Sequence, residues 1–401
     1  MQKGGIFLQT GRIHVAERVH KYKQRMIEIR RDFHMHPELG NEEFRTSKVV
    51  SGILESLGLK VERGVAGTGV TALLEGGGSG KTVALRADMD ALPIQDRKKV
   101  EYTSRVKGKM HACGHDAHTA ILLGAAMVMT ELKEHINGKV KFIFQPAEET
   151  TGGAARMVEE GVLDNPKVDA VFGLHVSPEL EVGTVGIRCG IANACSDDFR
   201  IEVIGKSAHG AQPNEGVDAI AVSAQIINAL QQVISRQIDP MEPGVMTVGI
   251  IRGGSQANII ADRVEMTGTI RTLDSATRQR IHEGIEDIAM NICRAMGAKH
   301  RVLFDAGYPL LINDNSMAEM VKKAAVKIVG DKVIDIQKPR LGVEDFAYYL
   351  QRVPGVFWRL GSGSREGKTQ YVAHSPYFDI EEDALCIGAA VHVQTVLEYL
   401  Q

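Results

Sequence analysis

MHACGHDAHTAILLGAAMVMTELKEHINGKVKFIFQPAEE, residues 110–149, holds a loop, a helix and a strand in direct succession. The stretch 117–132 is apolar on nearly every face, the composition of a helix buried on all sides. The stretch 139–144 is rich in strand-forming residues. The same alternation continues on either side. Residues 44–57 repeat Val49, Val50, Ile53, Leu54 and Leu57 at helical spacing and stop at Gly58. Segments 70–74 and 82–86 read as strands, and the glycine-rich stretch 76–80 between them reads as a surface hairpin turn. It lacks the Lys-Ser/Thr that a phosphate loop needs. A helix at 154–160 and a strand at 168–175 follow. The pattern predicts an α/β fold, a helix-flanked and mainly parallel sheet.

Residues 190–304 follow a different pattern. A strand (199–204), a long helix (218–235), two strands (245–251 and 263–271), a helix (276–296) and a strand (301–304) succeed one another. This β-α-β-β-α-β order predicts an inserted α+β, ferredoxin-like lid domain. The first pattern then resumes with a helix at 316–329, a strand near 356–360 and a helix at 382–400. The expected organisation is a discontinuous catalytic domain (1–189 and 305–401) with a lid and dimerisation domain at 190–304.

With 401 residues the chain is too long for one compact core. Its net charge of −3 gives no reason to expect nucleic acid or an anionic membrane as partner. The five cysteines are scattered without framework spacing, which favours a reducing compartment. The first residues, MQKGGIFLQTGR, lack the apolar core of a signal peptide. No apolar run reaches the roughly 20 residues that span a bilayer. The expected location is cytoplasmic.

The residues that carry chemistry collect where strands end. Cys113 and His115 flank Gly114, which lets a loop curl so that both reach one ion. Asp116 is placed to orient His115 from behind. Glu148 and Glu149 follow the strand at 139–144. Neighbours on an extended segment point opposite ways, so one carboxylate is free to bind metal while the other serves as base. His175 ends an apolar run, and His374 sits in a loop before the last helix. Singly, each is as consistent with a structural role. Together they point to a metal-activated water.

The motifs RDFHMHPEL (31–39), LRADMDALP (85–93), HACGHD (111–116), QPAEE (145–149), GLH (173–175), GKSAHG (205–210), GVEDF (342–346) and HSP (374–376) occur in this order. In this the chain resembles the amidohydrolase branch of the M20 metallopeptidase family, whose members include aminoacylase-like, hippurate hydrolase-like and auxin-conjugate hydrolase-like enzymes. The resemblance implies two divalent ions (Zn, Mn, Co or Ni) held by Cys113, His115, Glu149, His175 and His374, with Glu148 as general base. Asp90 matches an aspartate that supports a ligand from behind, whereas Asp88 stands where the wider family has a histidine and is not expected to ligate. His209 is expected to stabilise the oxyanion, in its own or a neighbouring subunit, and Asn258 and Arg271 to bind substrate. A homodimer or homotetramer through the lid follows from the same resemblance.

The implied reaction is hydrolysis of an N-acyl-L-amino acid. A metallo-carboxypeptidase or dipeptidase acting on short peptides is the alternative within the same chemistry. A cysteine hydrolase with Cys113 as nucleophile leaves the glutamates and distal histidines unexplained. A scaffold role is disfavoured because none of the expected positions is missing.

Overall fold

The computed structural model describes residues 14–364 and 371–401; the stretch 1–12 examined for a signal peptide lies outside them. No helix among the described residues is long and apolar enough to cross a membrane. The chain forms two compact units.

The first unit comprises Met1–Arg188, Asn313–Ile336 and Tyr349–Gln401. Its eight-stranded sheet runs in the order Lys60–Val65, Gly69–Glu75, Lys139–Gln145, Thr82–Asp88, Ala170–Glu181, Gly355–Gly363, Val185–Ile187, Val333–Asp335. The four strands from Lys139–Gln145 to Gly355–Gly363 are mutually parallel, and antiparallel pairings flank them. Every residue of Thr82–Asp88 and of Gly355–Gly363 is buried, as a strand covered on both faces requires. The helix His115–Glu131 is buried through fifteen of its seventeen residues, which explains its lack of a polar face.

The segment 76–80 is not the hairpin turn its glycines suggest. The strands it joins do not pair, because Lys139–Gln145 lies between them. Instead the segment passes over the start of that strand. Gly76 N–H donates to Gly138 O at 2.9 Å, and a Cβ at Gly80 would lie 2.0 Å from Asn137 O. Glycine is needed there for close backbone approach.

The second unit comprises Cys189–Ile312 and Gln337–Tyr348. Four antiparallel strands run in the order Lys299–Ala306, Cys195–Ile204, Arg263–Thr272, Gly244–Gly253. The helices Ala219–Gln232 and Ser275–Ala295 pack on the sheet over a core that includes Phe199, Ile201, Met266, Ile226 and Ile285. Asp218 and Asp274 cap them, accepting from Ile220 and Thr277 N–H. This unit is larger than the stretch 190–304. Tyr308 is tied in by Ser196 N–H, and 337–348 returns to it because Arg340 N–H donates to Ala192 O and Asn193 Nδ2 to Gly342 O.

Candidate metal centre

Parallel strands deliver their carboxyl ends to one edge, where an open α/β sheet gathers ligands. Thr82–Asp88 leads to Asp90 there, and Lys139–Gln145 leads to Glu148 and Glu149. His175 is not at a strand end as the sequence pattern suggests: its strand continues to Glu181. The helix expected from residue 117 starts two residues earlier, at His115, because Gly114 caps it in the left-handed conformation (φ +95°). A Cβ there would lie 2.3 Å from Val176 Cγ2. Ala147 and His374 are non-glycine residues that also have positive φ, +56° and +68°. Such strain collects where function dictates the backbone path. Buried Glu43 pins the first of these turns, accepting Ala147 N–H at 2.8 Å.

All five expected ligands converge. Cys113 Sγ lies 3.3 Å from His175 Nε2, and Glu149 Oε1 lies 3.2 Å from His374 Nε2 and 3.8 Å from His115 Nε2. The donor atoms of Cys113, His115 and His175 are within 4.8 Å of one another, and so are those of Cys113, Glu149 and His374. The two triads share Cys113, the geometry of two adjacent ion positions. Glu148 is buried, with a carboxylate oxygen within the same distance of His115 and Glu149.

The polar atoms fit a cation. His115 Nδ1 is 3.1 Å from Asp90 Oδ1, so the ring gives its proton to that carboxylate and turns the Nε2 lone pair toward Glu149. His115 Nε2 and Glu149 Oε1 are both buried and neither makes a well-aligned hydrogen bond, with Asp88 Oδ2 3.7 Å from the nitrogen and His374 Nε2 3.2 Å from the oxygen. Two acceptors facing each other at this range need positive charge between them. His175 is set the same way: its Nδ1–H donates to Val176 O at 2.7 Å, and Nε2 faces Cys113. The pKa shifts express the same demand. Burial opposes charge on His115, but Asp88, Asp90 and Cys113 outweigh it and push His115 up. Burial raises Glu149, yet His374 and His115 pull it down. Burial pushes the Cys113 thiol up to about 12.

Asp90 braces two ligands at once, since its Oδ2 also accepts Glu149 N–H at 2.9 Å. Asp116 does not orient His115, contrary to the sequence expectation. Its Oδ2 accepts from Arg30 Nε at 2.9 Å and from His34 Nδ1 at 2.7 Å. Asp88 is occupied by Arg86 at 2.5 Å and His118 Nδ1 at 2.6 Å. Val176 N–H donates to His118 Nε2, so His118 has both nitrogens engaged and ties the end of Thr82–Asp88 to the middle of Ala170–Glu181. Only its spacing from Asp88 along a strand and a helix turn hinted at that pair. Burial pushes His111 down to about 3 and leaves both ring nitrogens unpartnered.

In the second unit His209 and Asn258 share a corner. His209 bridges to Ile259, Gly210 N–H donates to Asn258 O, and both side chains are exposed. Ala211 N–H donates to His209 Nδ1, which leaves the ring proton on Nε2 as an outward donor. Arg271 is at the far end of its strand, eight residues or roughly 26 Å from Arg263. Its guanidinium folds back onto Ile270 O and Thr269 Oγ1. Within this unit the three residues are therefore not assembled.

Residues 84–398 match the model of peptidase family M20/M25/M40. The thermostable carboxypeptidase 2 of Saccharolobus solfataricus is 42% identical over 93% of this chain and 95% of its own. The N-acetyl-L-cysteine deacetylase of Bacillus subtilis is also 42% identical, over 90% of this chain and 85% of its own. Among solved structures, a dinuclear metal-binding peptidase of the M20 family from Bacillus subtilis superposes with a TM-score of 0.83 at 34% identity, covering 95% of this chain and 99% of that one. The convergent ligands thus sit in a chain whose sequence matches that family along most of its length: it is a member of peptidase family M20/M25/M40, a family of hydrolases.

Proposed function

We propose that the chain is a two-metal amidohydrolase that cleaves N-acyl-L-amino acids to a carboxylate and a free amino acid. The observation that carries the reading is the convergence of the donor atoms of Cys113, His115, Glu149, His175 and His374, with His115 Nε2 and Glu149 Oε1 buried and without a well-aligned hydrogen bond. These five residues would hold the ions. Two divalent ions there would acidify the attacking water and polarise the scissile carbonyl. Glu148, buried beside them, takes the proton from that water and returns it to the leaving nitrogen. Asp90 keeps His115 and Glu149 in register for both steps. His209, with its outward Nε2–H, is the proposed donor to the oxyanion. Asn258 and Arg271 are the proposed contacts to the amino-acid part, the guanidinium fork suiting a free carboxylate.

The geometry argues against Cys113 as nucleophile, because its Sγ sits 3.3 Å from His175 Nε2 and within the same cluster of donor atoms as His115, Glu149 and His374, an arrangement a thiol nucleophile does not call for. A carboxypeptidase acting on short peptides is the second reading, supported by the similarity to the Saccharolobus carboxypeptidase. The similarity to the Bacillus deacetylase favours the first. Assays of N-acetyl, N-benzoyl and dipeptide substrates in parallel decide between them. The expected result is faster turnover of the acylated amino acids, abolished by a chelator and restored by a divalent ion. Turnover that survives complete metal removal eliminates both readings. A substitution of His209 by Gln lowers kcat on every substrate if the oxyanion role is right.

We further infer a homodimer or homotetramer through the second unit. Its edge strand Gly244–Gly253 presents an unpaired backbone, and Ile250 and Ile251 are 47% and 52% exposed. Light scattering on the eluting peak is expected to give an oligomer that Ile250→Lys/Ile251→Lys converts to a monomer; a monomeric wild type would refute it. The five cysteines are all free thiols, which supports a reducing cytoplasm.

A further inference from the structure

Beneath the ligand loops is a second set of charges that the chemistry above leaves unused. Arg30 is fully buried; its Nε donates to Asp116 and its Nη2 to Asp379 Oδ1 at 2.8 Å. Tyr102 donates its hydroxyl to Asp379 Oδ2 at 2.8 Å. Lys98, its side chain only 6% exposed, extends Nζ to Phe378 O at 2.7 Å and to His34 Nε2 at 2.8 Å. His34 gives its Nδ1 proton to Asp116, and its Nε2 sits between Lys98 Nζ at 2.8 Å and Asp96 Oδ2 at 3.3 Å, so the ring links the lysine to both aspartates. Asp96 balances the lysine, 4.0 Å away.

These groups meet on one segment, 374–379. Arg97 N–H donates to Pro376 O, Lys98 to Phe378 O, and Arg30 and Tyr102 to Asp379. At the other end His374 N–H donates to Ala112 O at 2.7 Å, one residue before Cys113. His374 itself has a left-handed backbone and a side chain 53% exposed, so little packing holds its ring. A non-glycine residue keeps such a conformation only where its surroundings impose it.

We propose that Lys98, Tyr102 and Asp379 are positioning residues of the metal centre, anchoring the 374–379 segment so that His374 is aimed at Glu149. They set the affinity of one of the two ion positions without touching an ion. The inference rests on the two-ion reading above, and the experiment separates the two. Apo protein is titrated with Co(II) alone, following the cobalt absorption and the thiolate-to-cobalt band. Wild type is expected to take two equivalents, and His374→Ala marks which of them depends on that ligand. Lys98→Met weakens the same equivalent by about 10–100-fold, the usual cost of losing a group that orients a ligand. The other equivalent stays as in wild type, while the apo Tm falls because Lys98 gives up buried hydrogen bonds and leaves Asp96 without its balancing charge. A purely structural lysine would weaken both equivalents alike. Should Lys98→Met fail to fold, Tyr102→Phe removes one hydroxyl, keeps every charge, and gives the same selective loss at the lower end of that range. Both equivalents bound as in wild type, or both weakened together, overturns the positioning role and leaves the metal reading standing. A wild type that binds no cobalt removes both.

Discussion

Glu148→Gln protein is expected to keep its metal content and to lose about 10²–10⁴-fold in kcat, the range that general acid–base catalysis supplies. The amide has the shape of the carboxylate but no basicity. A drop of that size corresponds to about 3–5 kcal/mol of transition-state stabilisation at about 1.4 kcal/mol per decade. KM changes little, because the substitution removes proton transfer and not binding. Elemental analysis beside steady-state kinetics reads both quantities. Glu149→Gln is the contrasting variant: Glu149 Oε1 faces His115 and His374 inside the ring of donor atoms, so its loss depletes metal first and activity as a consequence. Undiminished turnover in Glu148→Gln would mean that another group is the base. Metal loss in it would make Glu148 a ligand.

The periodic elements were legible in the sequence because each repeats its own spacing. Phe44–Ser56, Ala219–Gln232 and Ser275–Ala295 carry helical apolar stripes, and the observed boundaries fall within a few residues of those expected. What the sequence hid is long-range pairing. Nothing in residues 70–86 announces that Lys139–Gln145 will part the two strands, so the glycines at 76–80 looked like a hairpin. The return of 337–348 to the second unit is equally silent, since it depends on backbone bonds to Ala192 and Asn193 about 150 positions away.

At the site, the types of residue were legible and their partners were not. A cysteine, three histidines and two glutamates declare metal chemistry by their donor atoms. Which aspartate braces His115 is decided by where strands end: Asp90 is across from it, while Asp116, its sequence neighbour, turns away on the next helical position toward Arg30. His118, one helical turn beyond Cys113 and His115, has no partner that the sequence declares, and in the fold it pairs with Asp88. His34 was visible only within the motif 31–39 and Arg30 just outside it not at all, because a charge reads as exposed until the groups that neutralise it are known.

Arg30→Met is the substitution expected to cost the most stability, about 3–5 kcal/mol, the penalty of stranding a buried charge. Arg30 is the only arginine or lysine paired with the fully buried Asp116 among the described residues, and it also reaches Asp379 at 2.8 Å and Glu382 at 3.5 Å. Burial would raise the carboxyls of Asp116 and Asp379, but Arg30 chiefly holds both down. Methionine fills the volume and supplies no charge. Arg30→Lys rescues only partly, because an ammonium cannot span three carboxylates in different directions as the guanidinium fork does. The pH dependence has a definite sign. A carboxyl whose folded pKa lies below its unfolded one stabilises the protein above the ordinary carboxylate range, and that contribution is lost as pH falls through the folded value. Wild type and Arg30→Met should therefore differ most at neutral pH; the gap narrows as acid protonates the stranded carboxyl of the variant and closes only as pH falls through the depressed folded values of Asp116 and Asp379 in wild type, below the ordinary carboxylate range. Thermal unfolding of apo protein across that range reads it directly. A gap that stays constant with pH would assign the loss to packing alone, and Asp116 would have to be neutral in the folded protein.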